Sequence, residues 1–162
     1  GVLWAIAVFA EVALFAYSGK LIARIGAAEL LIIGAASSVL RWVIMAFDPP
    51  LSVLVPLQVL HALTYGGAHI GAIHFIHQAV PAEMQGSAQA LYATIASGLA
   101  MGMATLVAGW LYGEYGGGSY WAMAVISLLA LAAAIVLHRI WDRSMVLEAP
   151  LPPAADTRAS AH

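Results

Sequence analysis

Apolar residues fill five stretches of this chain, at roughly 2–22, 28–47, 52–79, 87–112 and 119–138, each separated from the next by turn signals. A helix that crosses a bilayer needs about 20 predominantly apolar residues, and every stretch meets that length. Ser18-Gly19-Lys20 ends the first, Asp48-Pro49-Pro50 the second and Val80-Pro81 the third. Gly113-Glu114-Tyr115-Gly116-Gly117-Gly118 closes the fourth, and His138-Arg139-Ile140-Trp141-Asp142-Arg143 follows the fifth. The third is long enough to tilt or to extend beyond the hydrocarbon. The pattern predicts an all-α, polytopic transmembrane bundle over 1–143, with 144–162, rich in proline and alanine, as a disordered tail. The opening Gly-Val-Leu-Trp-Ala-Ile-Ala has no initiating Met and no charged leader region, so it reads as a helix entered partway along.

One stretch breaks the apolar pattern. Residues 58–77 lie inside the third span, yet they hold four of the six histidines, a glutamine and a tyrosine. At about 3.6 residues per turn, Gln58, His61, Tyr65 and His69 share one helix face. Unpaired polar groups cost several kcal/mol in hydrocarbon, so such a face belongs against protein or water. It reads as the wall of a transport pathway.

Composition agrees: the chain is 63% hydrophobic and 9% charged, against about 25% charge in soluble domains. A net charge of −2 gives no reason to expect nucleic acid as a partner. Basic residues set the orientation. Lys20 and Arg24 follow the first span and Arg139 and Arg143 the fifth, while the loops of the other side carry Asp48 and Glu114. The tail is therefore predicted to be cytoplasmic. Cysteine is absent, so no thiolate site or disulfide is available.

A rise of about 1.5 Å per residue places Glu11 about 15 Å deep, Arg41 roughly 20 Å and His61 about 15 Å, all near the midplane. An ionised group there costs roughly 2.5–3.5 kcal/mol on insertion scales unless it finds a partner or water. Glu11 and Arg41 are the evident pair. They either lock two helices together or, with His61, bind substrate and a coupling proton, and three ionisable groups at one level favour the second role. Gln89 and Tyr92 are three apart in the fourth span and can join the pathway at its cytoplasmic end. His74 and His77 have no acidic or thiol neighbour, so they read as interfacial histidines, and neither a metal nor another cofactor is expected. Gly98 and Gly102 form a small-xxx-small pair that predicts close helix packing. No His-Glu-x-x-His, Gly-x-Ser-x-Gly or phosphate-loop pattern occurs, which argues against an enzyme.

Gly19-Lys20-Leu21-Ile22-Ala23-Arg24-Ile25-Gly26 resembles the Gly-x-Leu-x-Asp-Arg-x-Gly loop of the major facilitator superfamily, with Gly19, Leu21, Arg24 and Gly26 matching and Ala23 in place of the acid. The resemblance implies helices eight to twelve of a twelve-helix transporter, an incomplete six-helix half, with the N-terminal half of the same transporter as a missing partner. The acid, arginine and histidine on successive spans resemble the lactose-permease type of proton symporter. Leu40-Arg41-Trp42, 58–61 and Gln89-Ala90-Leu91-Tyr92 are more similar to the phenylpropionate permease-like branch. This implies that Glu11, Arg41 and His61 form the substrate and proton site. Thr64 stands where the permease has a carboxylate, leaving Glu11, His61 or His69 as proton carrier.

The expected function is secondary active transport by alternating access, as proton-coupled symport of a small solute such as an aromatic acid, sugar or nucleoside. The expected location is a bacterial inner membrane. The alternative is a non-transporting membrane scaffold or assembly factor on the same fold.

Overall fold

The computed structural model describes residues 1–147, and among these every regular element is helical. Helix α1 spans Val2–Ala16 and α2 spans Ser18–Ile25, with a bend of 66° between them. The first apolar stretch is thus broken at Tyr17 rather than continuous to residue 22. Its last turn joins the short amphipathic helix of the Gly19–Gly26 loop. Gly26 ends α2 with φ +96°, a conformation costly for any residue with a Cβ, which accounts for the glycine in that motif.

Helix α3 covers Ala27–Met45, α4 Leu51–Ala79, α5 residues 82–115 and α6 Tyr120–Ile140. Three stretches are long and apolar enough to cross a membrane: Ala27–Met45, Leu51–Ala79 and the 59 residues Ala82–Ile140, which hold α5 and α6. The bent pair α1 and α2, taken as one span, adds a fourth. Between α5 and α6 the chain reverses through Gly116–Ser119, so that Thr105 and Met123 face one cavity. Asp48 from the α3–α4 loop lies against Gly117, where a Cβ would collide with its carboxylate.

The core sits along α4, which packs between α1 and α3, while α3 lies along α6. Close approach is possible because α4 carries glycine at the crossings. A Cβ on Gly71 would fall 3.0 Å from Ala27 O, and one on Gly66 would fall 3.1 Å from Leu14 Cδ2. Gly34 of α3 reciprocates, 3.0 Å from Leu63 O. Small residues at crossings are the usual means by which apolar helices approach in a bilayer. Helix α5, by contrast, has no buried residue. Its Gly98–Gly102 pair meets no other helix: Gly98 touches only Ala93 O of its own helix, and Gly102 has nothing within 4 Å. The packing predicted there is not made among the described residues; the seams lie instead at Gly34, Gly66 and Gly71.

Aromatic side chains tie the loop end together. Trp42 stacks on Tyr120 at 5.6 Å, and Phe47 meets Trp121 edge-on at 5.5 Å. At the other end Glu29, in the first turn of α3, accepts from Arg143 at 2.7 Å and lies 3.8 Å from His138. Phe75 packs on Trp141 at 4.7 Å, and Val146 N–H donates to Ala79 O at 2.8 Å. Within the tail expected from 144, the exposed residue Val146 makes this one bond to α4. The remainder of that tail, 148–162, lies outside the described residues.

Candidate functional site

The polar face of α4 is built around an irregular turn. Residues Ala62–Gly67 form a π-helical segment, a feature that concentrates at functional sites. Thr64 Oγ1 donates to His61 O at 3.0 Å inside that turn. The residue in the place of a permease carboxylate therefore supports the backbone. A second π-helical segment, Ala93–Ala100, lies in α5.

The site residues of α4 form a column of rings. His61 and Tyr65 stack at 5.9 Å with planes 13° apart, and Tyr65 and His69 at 6.5 Å and 6°. Tyr92 of α5 joins at 5.8 Å from His69, and Phe15 of α1 meets His69 edge-on at 6.2 Å. Gln58, one turn before His61, is half-buried and makes no hydrogen bond among the described residues. Towards the far end, Gln89 Nε2 lies 3.4 Å from His77 Nε2.

Arg41 and His61 lie within Coulombic reach of each other, and the Arg41 guanidinium rests over the Trp42 ring at 4.7 Å. Arg41 Nε and His61 Nδ1 are both buried, and neither has a hydrogen-bond partner among the described residues. A buried donor left unpaired costs about 1–3 kcal/mol, more when charged, so Arg41 Nε is a position where an acceptor would be favoured. Glu11 is half-buried with its Cγ against Gly66, 3.3 Å from where a Cβ would sit. It forms no ion pair with Arg41: among the described residues the ion pairs are those of Glu29. The helices thus bring His61, Tyr65 and His69 together in one column with Arg41 beside it, and place Glu11 on the neighbouring turn.

Two features escaped the sequence reading. The convergence of Phe15 on His69 depends on the α1–α4 crossing, and the π turns have no signature beyond the glycines they contain. Among the described residues no cluster of three or more His, Cys, Asp or Glu is arranged to hold a metal ion.

Helices long and apolar enough to cross a bilayer, one of them carrying a part-exposed column of polar rings, define a polytopic membrane protein. The model of the MFS_1 like family matches residues 1–124, and the chain belongs to that family of the major facilitator superfamily. It is an integral membrane protein, of a family of transporters rather than enzymes. It is 38% identical over 135 residues to the probable 3-phenylpropionic acid transporter of Escherichia coli (strain K12), covering 81% of this chain and 34% of that protein. It is 29% identical over 121 residues to the maltose permease of Geobacillus stearothermophilus, covering 74% of this chain and 31% of the permease. The chain thus spans about a third of the length of these curated relatives. No solved structure matches it.

Proposed function

We propose that this chain lines the solute pathway of a proton-coupled symporter for a small organic acid. The observation that carries the reading is the buried, unpartnered pair Arg41 Nε and His61 Nδ1. A carboxylate satisfies both at once, and a guanidinium binds it in a fork. A neutral sugar repays the burial of that charge less well. Similarity to a phenylpropionic acid transporter supports an aromatic acid.

In this mechanism Glu11 and the substrate compete for Arg41. When Glu11 is protonated, Arg41 is left to the substrate anion. When the site empties and Glu11 loses its proton, Glu11 pairs with Arg41 and resets the carrier. Alternating access follows by rocking of the two halves of the whole transporter, the N-terminal half being this chain's partner. We place it in a bacterial inner membrane with the Lys20, Arg24, Arg139 and Arg143 end in the cytoplasm.

The test is competition against labelled 3-phenylpropionate uptake by the whole transporter. The account expects the free acid to compete and its amide, equal in shape but uncharged, to compete at least about tenfold less well. Equal competition by acid and amide would contradict it.

A further inference from the structure

Beside the ring column lies a cavity of about 170 Å³, lined by Tyr65, His69, Tyr92, Ala96, Ser97 and Met101. It is bounded by both π-helical segments, since Tyr65 belongs to the first and Ala96 and Ser97 to the second. An apolar cavity of about 150 Å³ accommodates one benzene ring, so this one, open along the exposed side chains of Ser97 and Met101, has room for a single aromatic ring. Tyr65, His69 and Tyr92 make much of its lining, and aromatic walls favour a flat ring in offset or edge-on contact. Ala96 and Ser97 supply small side chains, so the room exists because nothing larger is built there.

Tyr65 links the cavity to the ring column, and so to His61. Tyr65 is one turn along α4 from His61, with ring centroids 5.9 Å apart, and Arg41 stands beside His61. A carboxylate at Arg41 and His61 would therefore hold a ring joined to it by about two methylenes against Tyr65, one helical turn of ~5.4 Å away. We propose that this cavity seats the aryl group of the transported acid, and that Ala96 and Met101 set the ring size it accepts. This rests on the organic-acid reading above and adds a specificity site to it.

The test uses the whole transporter in vesicles, with labelled 3-phenylpropionate uptake challenged by three ω-aryl propionates bearing a 2-furyl, a phenyl or a 2-naphthyl ring. Ala96→Leu removes room, and its phenyl-to-furyl preference should fall by about tenfold. Met101→Ala adds room, and its naphthyl-to-phenyl preference should rise by about the same factor. Because the two shifts run in opposite directions, loss of folded protein cannot mimic both; in-gel fluorescence reports the amount in the membrane. Preferences that stay at wild-type values in both variants, or inhibition constants that change equally for all three rings, would overturn the ring site while leaving the acid reading intact. If none of the three acids competes in the wild type, the acid reading itself fails, and the ring site with it.

Discussion

Arg41 is a part-buried cation whose Nε has no hydrogen-bond partner among the described residues, so its replacement should be informative. Charged hydrogen bonds contribute about 1.5–3 kcal/mol each. Arg41→Gln should therefore lower kcat/KM for the acid by about 10- to 100-fold in initial-rate uptake. Arg41→Lys should restore only part of it, because an ammonium keeps the charge and loses the planar fork. Rates for Arg41→Lys equal to the wild type would mean that the fork does not hold the substrate. Thr64 behaves differently. Its hydroxyl bonds to His61 O, so Thr64→Val should disturb the π turn and the position of His61 without removing a proton carrier. It should raise KM while leaving the pH profile of uptake in place.

At the scale of helices, the structure depends on glycines at the crossings of α4. Added methyl groups there meet backbone oxygen as well as side chains, and backbone cannot swing away. Gly34→Ala and Gly71→Ala should each destabilise by about 1–3 kcal/mol and lower the thermal midpoint in detergent. An unchanged midpoint would show that these helices have slack the structure does not reveal. The turn after α6 responds to acid instead. Asp142 accepts from Ser144 N–H at 3.0 Å and from its hydroxyl, and these bonds hold its carboxyl below the ordinary carboxylate value. A depressed value contributes above the unfolded carboxylate range and is lost only as pH falls through it, so the turn should persist at neutral pH and loosen only in strong acid. Helices α3, α4 and α6 were legible in the sequence because an apolar stretch bounded by glycine, proline and charge has few alternatives. The column His61, Tyr65 and His69 was legible from its spacing of four. The break at Tyr17 was not, because Ala16-Tyr17-Ser18 carries no proline or glycine of its own. The Glu29–Arg143 pair joins residues 114 apart in sequence, and no local pattern announces it. The Glu11–Arg41 pair follows from depth alone, and depth does not fix which way a side chain turns around its helix.

Across the whole molecule, charged side chains collect at the two ends of the bundle. Arg24, Glu29 and Arg143 gather around one polar cavity, while Asp48 and Gly117 meet at the opposite end. The chain has no cysteine, so single cysteines report topology cleanly. Met145→Cys should react with an impermeant maleimide only in inside-out vesicles, and Ser52→Cys only in right-side-out vesicles; the reverse pattern would invert the orientation. The central claim is that one carboxylate, Glu11, couples proton to solute through Arg41. It is tested most directly by 3-phenylpropionate uptake into vesicles under an imposed inward proton gradient, comparing wild type with Glu11→Gln. The account predicts accumulation in the wild type, and in the variant only downhill equilibration that the gradient no longer drives. Gradient-driven accumulation by Glu11→Gln at the wild-type level would contradict it.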